Sequence, residues 1–391
     1  MLKAAPFKGV RFDPRRADIR RALCPPYDVI DERLASELRE IPENAIHVEL
    51  PKGPPASRYR AAAAAWRRWA SEGLLVQDAE PCYYVLEQRF VADGKDLCRV
   101  GLLAALGVDD ESAARVLAHE RTLSRPKEDR LRLLRALRAN TSPIFAVFSD
   151  GAGDVRAALL AARRREPLWS GSDGRGVEYR LWRAARVLAR GIERVLGDKA
   201  LLIADGHHRY EVARESFKRG PEPGAEAALA YLCPEEDPGL VVLPTHRVVK
   251  PGRALAEALK NAVLSAVPDD RALEAALESA QSPYAFGLYD GTFRLGTPAP
   301  RDAGVKSGFG SDWLAQRILA GTDPQEIGYF HAVEEAVDAA VRSRGWAFLL
   351  KRFSVADIRR AVGAAGLLPQ KSTYFIPKVP AGLAFRVFQD I

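Results

Sequence analysis

The stretch that most constrains the fold is Ala200-Leu201-Leu202-Ile203-Ala204-Asp205-Gly206-His207-His208-Arg209-Tyr210-Glu211. Its apolar residues predict a short buried strand, Asp205-Gly206 breaks it, and the residues from His207 predict an amphipathic helix running to about Arg219. Two imidazoles and a guanidinium then stand at a helix N-terminus. That end carries unpaired backbone N–H groups and the positive end of the helix dipole, so it attracts anions, phosphate above all. Gly206 permits a tight turn and close approach of the backbone to a ligand. Three readings are open here: a phosphate site, a metal site using His207 and Glu211 on one helical face, or a solvated helix start. A metal would want a third ligand. The remaining histidines, His47, His119, His246 and His331, are scattered, and no H-E-x-x-H or C-x-x-C occurs.

A chain of 391 residues with 47% hydrophobic content can bury one large core or two ordinary ones. The net charge of +7 comes mainly from arginine. No Lys/Arg stripe with interleaved aromatics and no helix-turn-helix with a basic second helix emerges, so direct DNA binding is not expected. Cys24, Cys82, Cys98 and Cys233 have neither metal-like spacing nor the density of a disulfide framework, which fits a reducing compartment. The N-terminus lacks the apolar stretch of a secretory signal and no run reaches about eighteen apolar residues. The expectation is a cytoplasmic protein that does not span a membrane; the oligomeric state is not indicated.

Taken in order, residues 6–12 predict a strand. Cys24-Pro25-Pro26-Tyr27-Asp28-Val29-Ile30 follows, two prolines holding the backbone extended and presenting Tyr27 and Asp28 from a stiff loop, or else forming a rigid turn before a helix over 32–39. Ser57 is expected to cap an Ala-rich helix ending near Gly73. Residues 81–91 and 95–108 predict an antiparallel hairpin turned at Ala92-Asp93-Gly94. The charged stretch from His119-Glu120-Arg121 to Arg130 leads into a helix toward Asn140, with Lys127 and Arg130 on one face. It is either a cationic pair beside a candidate base or the coat of a solvated helix. A buried strand is predicted at 143–148 and a strand carrying Thr245-His246-Arg247 at 240–249. Beyond Pro251 helices are expected at 254–266, 271–280, 312–319, 331–342 and 354–364, with strands at 284–289, 292–295 and 346–350. Gly304-Val305-Lys306-Ser307-Gly308 lacks phosphate-loop spacing and is read as a connector. The tail from Lys371 to Lys378, hydroxyl-rich and held open by Pro377, is read as a loop closing over an anion or as a surface tail.

C-P-P-Y-D-V-I at 24–30, H-E-R-T-L with P-K-E-D-R-L at 119–131, A-D-G-H-H-R-Y-E at 204–211 and K-S-T-Y-F-x-P-K at 371–378 occur in the order found in DUF family 1015. The chain resembles that bacterial family over essentially its whole length. More distantly, the strand followed by D-G-H-H-R and a helix is similar to the phosphate-binding element of the ParB/sulfiredoxin-like fold, shared by sulfiredoxin, CTP-binding ParB proteins and free-serine kinases. Sulfiredoxin places its catalytic cysteine in this turn; His207 stands in that neighbourhood here, so sulfinic acid reduction is not expected.

The resemblance implies a mixed α/β fold: a ParB/sulfiredoxin-like nucleotide-binding core with helical insertions over 1–250, and a smaller C-terminal α/β unit over 251–391. It implies a nucleotide-dependent phosphotransferase acting on a small hydroxyl compound such as free serine, with ATP or ADP and Mg2+ as cofactors. Asp205, Gly206, His207, His208, Arg209, Lys127 and Arg130 would hold the nucleotide. Glu120, Asp28 and His208 are the candidate catalytic residues, Glu120 being preferred as base over Asp28 and Asp205. The alternatives are a nucleotide-binding regulator or adaptor without turnover, and a hydrolase using His207, His208 and Glu211 around a metal.

Overall fold

The computed structural model describes residues 1–120, 124–184, 186–220, 222–300, 305–369 and 371–391, a mixed α/β protein. The chain divides into two compact units. The first comprises Met1–Ala118, Thr122–Val241 and Pro377–Ile391, the second His119–Arg121 and Val242–Ile376. No helix among the described residues is long and apolar enough to cross a membrane.

The first unit is built on a sheet whose order runs Val116–Leu117, Leu201–Asp205, Ile144–Phe148, Ala227–Pro234, Lys95–Gly107, Tyr84–Ala92, Val177–Arg183, Trp169–Ser172, with Ala4–Ala5 beside Lys95–Gly107. The hairpin joining Tyr84–Ala92 to Lys95–Gly107 turns at Asp93 and Gly94, both with positive φ, as a tight two-residue connection requires. The central strands Leu201–Asp205, Ile144–Phe148 and Ala227–Pro234 are buried along their whole length, and so read as apolar runs without alternation. The helix His207–Arg219 joins the helix Ser124–Leu137 through a cluster of Val212, Leu131, Leu134, Ala225 and Phe388. A smaller sheet, ordered Leu75–Gln77, Gly9–Phe12, Phe385–Val387, Ala139–Asn140, fastens the C-terminal segment to the N-terminal strand.

The second unit is an antiparallel sheet ordered Ala262–Ala266, Phe293–Pro298, Phe286–Tyr289, Trp346–Leu350, His246–Val249, Gly328–Phe330. Both faces are covered. Along Trp346–Leu350, Phe348 and Leu350 enter one apolar cluster with Trp313 and Leu314, while Ala347 and Leu349 enter another with Leu273 and Ala336, as period-two alternation dictates.

Two local expectations are corrected. The helix expected over 254–266 ends as Arg253–Ala258 and a short 3-10 turn, and Ala262–Ala266 pairs antiparallel with Phe293–Pro298 as a sheet edge. Sheet pairing overrides the helix propensity of the alanines. The helix expected to be capped by Ser57 begins at Pro55, whose missing N–H and fixed φ suit the first helical position; Ser57 lies inside it.

Candidate functional site

The strand Leu201–Asp205 delivers the first site residue. Its register against Ile144–Phe148 slips between Ile203 and Asp205, a bulge of the kind that re-aims the last side chain of a strand. Asp205 is buried, and its carboxylate accepts hydrogen bonds from the Lys378 ammonium and, at 2.5 Å, from Arg209 Nη2. Burial alone would raise its pKa. Lys378, Arg209 and the neighbouring His207 override that and hold it down at about 2.

Gly206 follows with φ +86° and forms the N-cap of His207–Arg219 without a side-chain cap. The opening N–H groups of this thirteen-residue helix therefore have no capping side chain. A Cβ on Gly206 would stand 3.0 Å from both Cζ and Nε of Arg209, which folds back over the glycine. Gly206→Ala is expected to cost about 1–2 kcal/mol, from left-handed strain plus displacement of the guanidinium, read as a lowered urea midpoint.

Arg209 is a strut of the turn. Its Nη1 donates to the Pro143 carbonyl at 2.5 Å while Nη2 holds Asp205. Its buried Nε has no hydrogen-bond partner, and the residue lines a cavity of about 50 Å3 with Glu49, Arg130, Asn140, Thr141 and Ser142. That space admits a few waters. Glu49 is 1% exposed and accepts from Thr141 Oγ1 at 2.6 Å and Ser142 Oγ at 2.9 Å, while Arg130 Nη1 donates to the Glu49 carbonyl at 2.5 Å. The remaining Arg130 nitrogens grip Asp129, and the guanidinium lies 4.3 Å over the Tyr27 ring.

Tyr27 and Asp28 occupy the one-turn helix Tyr27–Val29. Asp28 is exposed as a residue, but surrounding protein atoms remove part of the hydration of its carboxyl. That loss, and then repulsion from Asp205, raise its pKa above 3.8 against the pull of Lys378 and Arg209. Burial followed by the Asp28 charge pushes the Tyr27 hydroxyl up to about 12. Two carboxyls of one site are thus displaced in opposite directions.

The structure therefore brings together Asp28, Asp205, Gly206, His207, Arg209 and Arg130 in the first unit. His208 is the second residue of the same helix, and Lys127 pairs at 3.0 Å with Glu211 Oε2. Glu120 belongs to the second unit, where its Oε1 accepts from the Ser372 N–H at 3.1 Å and the Thr373 N–H at 3.4 Å. Arg121, Thr122 and Leu123 beside it lie outside the described residues. Among the described residues no group of three or more His, Cys, Asp or Glu is disposed to hold a metal ion.

Two residues were not singled out from sequence. Lys378 reaches Asp205 because Arg99, stacked 4.5 Å over Phe145, donates to the Pro377 carbonyl and Gln88 donates to that of Lys378 at 3.1 Å. Glu49 carried a signal, being a carboxylate set between the apolar Val48 and Leu50.

Fold and site together define a mixed α/β protein with a carboxylate pair and two cations around an uncapped helix N-terminus. The chain belongs to the family described as protein of unknown function (DUF1015), whose model matches residues 4–318. No curated protein matches it. Among solved structures it is similar to a conserved hypothetical protein from Pyrococcus furiosus, with 15% identity, TM-score 0.40, and coverage of 72% of this chain and 93% of that one. A free serine kinase in complex with AMP aligns with 13% identity, TM-score 0.41, and coverage of 71% and 91%. SbnI with a C-terminal truncation, from Staphylococcus aureus, aligns with 11% identity, TM-score 0.40, and coverage of 71% and 87%.

Proposed function

We propose that the first unit is a nucleotide-dependent phosphotransferase acting on the hydroxyl of a small molecule, free serine being the first candidate. The observation that carries this reading is the pair Asp28 and Asp205. Carboxyls of one site whose pKa values are pushed apart divide into a base and a permanently charged group. Phosphoryl transfer asks little covalent chemistry of a protein; it needs phosphates positioned, charge neutralised and one proton removed.

In this reading the backbone N–H groups after Gly206 and the Lys378 ammonium hold the phosphates of ATP or ADP, with His207 and His208 flanking them. Asp205 holds Lys378 in place, and Arg209 with Gly206 fixes the turn. Asp28 accepts the proton of the acceptor hydroxyl as the new P–O bond forms and the bond to the nucleotide leaving group breaks. This assigns to Asp28 the role that the sequence alone favoured for Glu120. Magnesium would neutralise phosphate charge, bound mainly through phosphate oxygens and water, which suits a site whose Asp205 oxygens are already engaged by Arg209 and Lys378.

The test is nucleotide consumption in the presence of Mg2+ with and without hydroxyl acceptors, serine first. The reading expects product nucleotide only when an acceptor is present, whereas a regulator without turnover binds and consumes nothing. The acid limb of kcat/KM against pH is expected above 3.8, because activity requires ionised Asp28 and its pKa is raised. An acid limb below 3.8 would remove Asp28 as the base.

A further inference from the structure

A second polar cluster lies wholly within the second unit, and the chemistry above does not use it. Thr245-His246-Arg247 enters the strand His246–Val249, where alternation sends His246 to one side and Arg247 to the other. His246 Nδ1 accepts the Leu350 N–H at 3.0 Å, and burial, then His331, holds its pKa at about 3. It is a neutral structural residue.

Arg247 is different. It is 3% exposed, yet its hydrogen bonding amounts to the Thr245 carbonyl, to which Nη1 donates at 2.8 Å, and no carboxylate of the described residues lies within 4.0 Å of it. Glu120 acts on it from beyond ion-pair reach, its own Oε1 being occupied by the Ser372 and Thr373 N–H groups. Burial accordingly lowers the pKa of Arg247 to about 10. The Thr245 hydroxyl is also fully buried with no hydrogen-bond partner. A buried cation without a counter-charge and a buried hydroxyl without a hydrogen-bond partner are each costly, and proteins retain such groups where something completes them.

The surroundings indicate what does. Tyr329 is the cross-strand partner of Arg247, its ring centroid 5.9 Å from the guanidinium carbon, and the Lys371 ammonium stands 4.7 Å from the same centroid. Lys371 is held at φ +53°, a left-handed conformation uncommon for a side-chain-bearing residue. Two cations thus share one aromatic ring, and the buried Thr245 hydroxyl belongs to the residue whose carbonyl Arg247 holds. The planar guanidinium fork matches the two oxygens of a carboxylate or phosphate.

We infer that the second unit carries its own binding site for a small oxyanion, a carboxylate or phosphate group gripped by Arg247 and Lys371 over Tyr329 and completed by Thr245. The site gives a role to two sequence features that the first unit leaves unused, Thr245-His246-Arg247 and the start of the Lys371–Lys378 stretch, and it stands independently of the phosphotransferase reading.

The test uses the full chain with Lys378→Met, which impairs the first site, titrated calorimetrically with inorganic phosphate and separately with acetate. At least one probe is expected to bind. Adding Arg247→Met should weaken that probe at least tenfold, and adding Lys371→Ala about threefold; the probe that responds identifies the oxyanion. Lys371 is exposed, so its variant decides the matter should Arg247→Met fail to fold. Failure of both probes to bind the Lys378→Met protein overturns the inference, as does undiminished binding by Lys371→Ala together with any folded Arg247→Met.

Discussion

Asp28→Asn should lower phosphoryl transfer by about 10²–10⁴-fold while leaving the fold intact. The loss follows from removing the group proposed to accept the hydroxyl proton: asparagine keeps the shape and cannot take a proton. The intact fold follows from the direction of the Asp28 shift. A carboxyl whose pKa is raised is one whose charge the folded protein disfavours, so neutralising it leaves stability unchanged or slightly higher at neutral pH. Turnover under saturating nucleotide, set beside a thermal melt of the same preparation, checks both halves. Activity within threefold of wild type would exclude Asp28 as the base.

Asp205→Asn is expected to do the opposite, lowering stability by about 3–5 kcal/mol through the loss of a buried counter-charge. It leaves Arg209 and Lys378, both largely buried, facing each other without the carboxylate that holds them. The same group gives stability a defined pH dependence. Its folded pKa lies below the ordinary 3.8, so its contribution is complete above 3.8 and disappears as pH falls through about 2. Urea unfolding of wild type and variant at neutral pH measures the difference. A variant as stable as the wild type would show that Asp205 does not organise the turn.

The strand-turn-helix at 201–219 was legible because three local signals coincide: a short apolar run, a glycine where φ must be positive, and amphipathic spacing after it. The hairpin at Asp93-Gly94 was legible for the same reason. The mixed α/β class followed from such local patterns and from the resemblance to DUF family 1015. What sequence could not reveal is long-range. Lys378 meets Asp205 across 173 residues, and no periodicity announces that pairing. The stretch from Lys371 to Lys378 reads as one tail, yet it divides, Ile376 ending the second unit and Pro377 re-entering the first. Arg209, read from its position as a phosphate ligand, is held against the turn by Asp205 and the Pro143 carbonyl, contacts of which Pro143 is supplied by a distant segment of the chain. Ala262–Ala266 became strand because a neighbouring strand needed an edge partner, which composition does not encode.

The proposed function makes the turn at Gly206 with Lys378 a nucleotide-phosphate site. Isothermal titration of the purified chain with ATP and with ADP in Mg2+, repeated on Lys378→Met, tests it most directly. Binding of one nucleotide to the wild type and at least a tenfold loss in the variant, about 1.4 kcal/mol, is the expected result. Absence of binding by either nucleotide, or equal affinity in the variant, would contradict it.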